Sequence, residues 1–204
     1  MYLTVNSYNP EKRKITKVVN CLENGGVIIY PTDTVYGLAC AINKPRAMER
    51  LCRLKGIAPK KANLTFICND LSQLSQYAHQ LNNQTFKLLK RTLPGPYTYI
   101  LKANNKVPKL FKNNKKTIGF RIPDNVIAQT IVTEMGVPIL SSSLKKDDDF
   151  LEYPTEPYEI EELFGKLVDI IIDGGIGGLT PSTVVDCTGF EPVLIREGVG
   201  EWEE

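Results

Sequence analysis

Short apolar runs bounded by glycine, proline or polar residues recur along the chain, with amphipathic stretches between them. Gly25-Gly26 turns into Val27–Tyr30, four apolar positions that predict a buried strand, and Tyr36 to Ile42 is a second apolar segment. The runs LTFIC (64–68), YTYILKA (97–103), TIGFRIP (117–123), PILSSS (138–143), VDIIID (168–173), TVVDCT (183–188) and PVLIRE (192–197) read as further strands. Helices are predicted over Lys17–Glu23 with Thr16 as cap, and over Arg46–Leu54 behind Asn43 and Pro45. Met48, Leu51, Cys52 and Leu54 give that second helix one apolar side. Asp70 can cap a helix over 71–78. TFKLLKRT (85–92) is another, broken by Pro94-Gly95-Pro96; NVIAQTIVTEM (125–135) ends at Gly136, and EIEELFGK (159–166) follows.

This alternation, without repeats or low-complexity linkers, predicts an α/β fold: one open, twisted, mixed β-sheet flanked by helices. At 204 residues the chain fits a single domain over 1–204, with its core over about 12–200. Hydrophobic content of 42% and charged content of 24% are those of a globular protein with a full core. No apolar run approaches ~18 residues, and the opening MYLTVNSYNPEKRK has no apolar signal segment, so a cytoplasmic protein with no membrane partner is expected. Five cysteines, odd in number and without a CxxC pair, read as buried free thiols of a reducing compartment.

The net charge of +2 hides a lopsided layout. Residues 1–123 hold 21 Lys/Arg against 5 Asp/Glu, and residues 124–204 hold 4 against 18. From Leu71 to Pro123 there are ten bases and no acid. Such a segment attracts phosphates or nucleic acid, unless the acidic part neutralises it across the fold.

Several chemistries are excluded. There is no GxxxxGK[ST] phosphate loop, no GxSxG and no GxGxxG at a first strand-to-helix turn; DGGIGGLTPST (173–183) is glycine-rich but elsewhere. His79 is the only histidine, which removes His-based triads and metal sites, and no metal ligands are assigned. What remains are cations, hydroxyls and backbone amides, the tools for holding phosphates and carboxylates. They gather at predicted strand ends: Arg121 in GFRIP, Ser141 to Ser143, Ser182 and Thr183 in PST, and Arg196 in LIREG. Strand ends are where α/β folds place ligands.

Read in order, YPTDTVYGLAC, Lys55 after the basic helix, LPGPYTYIL, TIGFRIP, PILSSS, STVVD and LIREGVG resemble the YrdC-like family over roughly residues 20–200. FICNDLSQLSQYA, TIGFRIPDN and IREGVG look most like its YciO branch. The resemblance implies a YrdC-like fold with a basic concave cavity. It also implies an ATP-dependent threonylcarbamoyl-AMP synthase chemistry. L-Threonine, bicarbonate and ATP with magnesium give threonylcarbamoyl-AMP and pyrophosphate, in the service of tRNA modification, with no tightly bound cofactor. By the same resemblance Thr32, Thr34, Arg121 and Thr183 hold threonine, Arg121 taking its carboxylate. Lys55, Lys61, Ser141, Ser143, Ser182 and Arg196 hold the nucleotide.

The chain departs from the family pattern in the same elements. Ile57 stands where the synthases keep an arginine two residues after the lysine. Ser143-Leu144-Lys145 stands where they read SAN, and GIAPKKAN (56–63) lacks their proline-leucine. A phosphate contact of about 1.5–3 kcal/mol is thereby lost unless Lys60 or Lys61 replaces it. Two other readings therefore stand beside the synthase: a YciO-type protein binding double-stranded RNA or tRNA, and a nucleotide sensor without turnover.

Overall fold

Among the described residues, ten strands join in a single sheet in the order β1-β8-β2-β3-β7-β4-β6-β5-β9-β10. This computed structural model describes residues 1–59, 62–108, 116–144 and 152–202. The strands are β1 (Tyr2–Thr4), β2 (Val27–Tyr30), β3 (Gly37–Ala41), β4 (Thr65–Ile67), β5 (Tyr97–Lys102), β6 (Thr117–Arg121), β7 (Ile139–Ser143), β8 (Ile170–Asp173), β9 (Thr183–Asp186) and β10 (Val193–Arg196). The helices are α1 (Lys12–Glu23), α2 (Pro45–Lys55), α3 (Leu71–Ser75), α4 (Asn83–Thr92), α5 (Val126–Met135) and α6 (Pro157–Phe164). Four parallel pairs (β1–β8, β2–β8, β4–β6, β5–β9) stand among five antiparallel ones, so the expected mixed sheet is present.

Local chemistry accounts for several helix ends. Asp70 accepts from Gln73 N at 2.6 Å, Asn82 from Thr85 N at 2.7 Å and Asn125 from Ala128 N at 3.0 Å, each filling an orphan donor of a first turn. Gly56 (φ 69°) and Gly136 (φ 66°) close α2 and α5 in the left-handed region, where a side chain is disfavoured. Two expectations change. The first helix starts at Lys12, because Ile15, Val18 and Leu22 form its buried stripe; Thr16 lies inside it and donates to Lys12 O at 2.9 Å instead of capping it. The N-terminal residues form β1, a three-residue strand that pairs in parallel with β8 and was not expected from so short a run.

The core has two layers. On one face of the sheet α2, α3, α4 and α6 pack over Leu38, Phe66, Tyr99, Phe120 and Leu140. Phe66 meets Phe120 edge-on, with ring centroids 5.8 Å apart. On the other face α1 and α5 cover Ile28, Tyr30, Ala39, Ile67 and Ile139. No residue of β5, β6 or β9 belongs to this second layer. In that half the sheet therefore has one apolar side under α3 and α4 and one side that no described helix packs upon. Cys40, Cys52, Cys68 and Cys187 are buried and Cys21 is half-buried, all as free thiols.

Candidate functional site

Strand alternation dictates what the uncovered side displays. Ile118 and Phe120 of β6 point into the apolar layer, so Thr117, Gly119 and Arg121 point the other way. Leu140 of β7 does the same, which turns Ser141 and Ser143 outward. Register lines these residues up: Ser141 stands opposite Thr65, and Thr65 opposite Gly119. A Cβ on Gly119 would lie 2.8 Å from Thr65 Oγ1, so the glycine keeps this polar row flat. Thr98 of β5 joins the same side and shares a hydrogen bond with Ser182 at 2.8 Å.

The connection between β2 and β3, Pro31 to Tyr36, carries the two threonines. Thr32 Oγ1 accepts from Thr34 N at 3.0 Å and donates to Val35 O at 2.7 Å, a local bond set that holds the turn. The turn is buttressed from behind by the glycine-rich segment noted in the sequence. Gly178 N donates to Thr34 O at 2.7 Å, and Tyr36 OH donates to Gly175 O at 2.6 Å. Arg121 meets the turn from β6. Its Nη2 donates to Thr34 Oγ1 at 2.8 Å and to Asp33 Oδ1 at 2.5 Å. The Asp33 and Arg121 side chains are only 10% and 9% exposed. Asp33 Oδ2 and Arg121 Nε are buried without a hydrogen-bond partner. Tyr30 OH donates to Ser141 Oγ at 2.9 Å, and burial pushes the Tyr30 phenol up to about 12 although that hydrogen bond pulls it down.

Most of the predicted residues converge here. Thr32, Thr34, Arg121, Ser141, Ser143 and Ser182 lie on or beside this helix-free polar side, where Thr34, Arg121, Ser141 and Ser182 are buried. Arg196 of β10 reaches it by donating to Ser182 O through Nη2 at 2.7 Å and Nε at 3.2 Å. Lys55, at the end of α2 and 4% exposed, donates to Ser143 O at 2.9 Å. Thr183 is the exception. Its neighbour Ser182 faces Thr98, so Thr183 points to the opposite side, fully buried, and its hydroxyl donates to Gly200 O at 2.6 Å. That hydroxyl fastens the C-terminal segment and does not join the other site residues. Lys60, Lys61 and residues 145–149 lie outside the described residues. Asp33 has no role among the expected site residues. The signal for it was its place between two threonines, as one of only five acids in the first 123 residues. Beside Asp33 opens a cavity of about 570 Å³ lined by Arg91, Pro94, Tyr97, Asp124 and Glu201.

Comparison with known proteins agrees with this fold. The Sua5/YciO/YrdC family model, described as "Telomere recombination", matches residues 20–198. The uncharacterised protein YciO of Escherichia coli is 45% identical over 195 residues, covering 95% of this chain and 93% of its own. A threonylcarbamoyl-AMP synthase of Vibrio vulnificus is 30% identical over 190 residues, covering 90% of this chain and 98% of its own. Among solved structures, E. coli YciO superposes with a TM-score of 0.93 at 42% identity, over 98% of this chain and 97% of that one. Pyrococcus abyssi Sua5 complexed with L-threonine superposes with a TM-score of 0.88 at 29% identity, over 97% of this chain and 57% of that one.

Proposed function

This chain belongs to the Sua5/YciO/YrdC family, and from that premise we propose that it is a slow ATP-dependent threonylcarbamoyl-AMP synthase, working on the uncovered side of its sheet. The observation that carries this reading is Arg121. A buried guanidinium rises from a polar sheet row and leaves Nη1 and Nε outside its hydrogen bonds to Asp33 and Thr34. Planar donors of this kind suit a carboxylate, and the threonine complex of the Pyrococcus relative supports assigning it that of L-threonine.

In this reading the Thr32–Thr34 turn fixes the amino acid. Ser141, Ser143, Ser182 and Arg196 hold the nucleotide beside it, with Lys55 anchored at Ser143. The threonine amine and bicarbonate give a carbamate, with loss of water. A carbamate oxygen attacks the α-phosphorus of ATP, and pyrophosphate leaves with the bonding pair. The protein supplies position and charge neutralisation and needs no histidine. Among the described residues no group of three His, Cys, Asp or Glu side chains could hold a metal ion, so magnesium would arrive on the ATP phosphates. The deciding experiment is AMP and pyrophosphate formation from ATP. Formation that requires both L-threonine and bicarbonate is expected; none with all three present would overturn the proposal.

A second reading, a YciO-type protein binding double-stranded RNA or tRNA, has its own support. The basic helices α2 and α4 pack on the same face of the sheet and expose Arg46, Arg53, Lys87, Lys90 and Arg91. A cationic face opposite the nucleotide side would let one chain bind RNA and nucleotide together.

A further inference from the structure

The ion pair between Asp33 and Arg121 is incomplete on both sides. Asp33 uses Oδ1 and leaves Oδ2 buried and unpartnered; Arg121 uses Nη2 and leaves Nε buried and unpartnered. A fork-to-fork pair would satisfy two oxygens with two nitrogens. Here one acceptor and one donor are left over, in two side chains about nine-tenths buried. Buried polar groups are seldom left unpaired, so each such group needs an explanation.

The cavity next to the pair gives an independent indication of the missing partner. Its lining includes three acidic residues, Asp33, Asp124 and Glu201, and one cationic residue, Arg91. An acid-rich lining repels phosphates and attracts a cation. At about 570 Å³ it has the size of a small-molecule pocket. The group that enters beside Asp33 is therefore positive, while the group taken by Arg121 is negative. A free α-amino acid carries both charges on one carbon.

We propose that Asp33 reads the α-ammonium group of the amino acid through its unpartnered Oδ2, beside the Arg121 that takes the carboxylate, so that the site selects amino acids over hydroxy acids of the same shape. This rests on the reading of Arg121 as the carboxylate receptor. It adds a specificity-determining residue that neither the Thr32–Thr34 turn nor the serine row supplies. The same contact survives the first chemical step, because the carbamate formed on that nitrogen keeps one N–H to donate. The acid-rich end also directs the phosphates of ATP away from Asp33, towards Ser141, Ser143 and Arg196.

The test is calorimetric binding of L-threonine and of (R)-3-hydroxybutanoate, which keeps the carboxylate and hydroxyl and lacks the ammonium. The wild-type protein should bind threonine roughly ten- to hundred-fold more tightly, the effect of one charge-assisted hydrogen bond. Asp33→Asn should weaken threonine by a similar factor and leave 3-hydroxybutanoate within about two-fold, since an amide oxygen accepts without the charge. Equal binding of the two ligands by wild type overturns the inference without any variant, which covers a failure of Asp33→Asn to fold. If Asp33→Asn binds threonine as wild type does while Arg121→Lys does not, the carboxylate reading stands and the role of Asp33 falls. If wild type binds neither ligand, both fall.

Discussion

Ser182 and Thr183 are adjacent in sequence and point to opposite sides of the sheet. Ser182 shares a hydrogen bond with Thr98 at 2.8 Å on the polar side, and Thr183 donates to Gly200 O at 2.6 Å on the other. The two hydroxyls should therefore respond differently to removal. Thr183→Val leaves the Gly200 carbonyl without its partner and should cost about 1–3 kcal/mol of stability in a urea melt, with ligand affinity unchanged. Ser182→Ala should weaken ATP binding by calorimetry with a smaller loss of stability.

Arg121→Lys keeps the charge and loses the planar fork. Its ammonium can take over the bonds that Nη2 makes to Asp33 and Thr34, and then has no planar row of donors left for a ligand carboxylate. Threonine affinity should fall at least about ten-fold, the size of one charge-assisted bond. An unchanged dissociation constant would remove Arg121 from the site.

Ile57 follows the left-handed Gly56 that ends α2, and its backbone N donates to Cys52 O at 3.0 Å. The side chain is half-buried and brings no charge to the phosphates. If the synthases hold a phosphate from this position, Ile57→Arg should raise the single-turnover rate by roughly 10²–10³, the worth of one transition-state contact. No change in rate would show that the phosphates are held elsewhere, with Lys60→Ala and Lys61→Ala as the next variants to assay.

Alkaline pH should destabilise the fold. Burial pushes the Tyr30 phenol and the Cys40 and Cys187 thiols up to about 12, from ordinary values of 10.0 and 9.0. The native state therefore holds these protons where the unfolded chain has released them. The stability is fully present below about pH 9 and falls as pH rises from 9 towards 12. Urea midpoints measured between pH 7 and 11 should be level at first and then decline; a rising midpoint above pH 9 would contradict this.

If the exposed cations of α2 and α4 bind RNA, affinity should fall steeply with salt and show little sequence preference. A double-stranded RNA titrated at several salt concentrations should give a clearly negative log–log slope. Replacing Lys87, Lys90 and Arg91 together by Ala should make that slope shallower. A slope near zero would favour neutralisation within the protein, of which Arg50 with Asp169 at 2.6 Å is one instance.

The sequence alone determined most of the succession of strands and helices, because apolar periodicity and caps are local: Asp70 and Asn125 each start a helix by accepting from a backbone N–H three residues on. It also placed Arg121, Ser141, Ser182 and Arg196 at strand ends and supplied the chemistry they can do. It misjudged the start of α1, where three buried residues one turn apart outweigh a threonine's capping preference, and it gave no sign of β1, whose pairing depends on a strand 169 residues away. Only the tertiary structure decided that β7 lies between β3 and β4, which sets Ser141, Thr65 and Gly119 in one row. It also decided that Thr183 faces away, and that Asp33 meets Arg121 across 88 positions of chain. Alternation along a strand states that there are two faces. Which face receives helices and which stays open depends on the order of all ten strands, and no local stretch encodes that order.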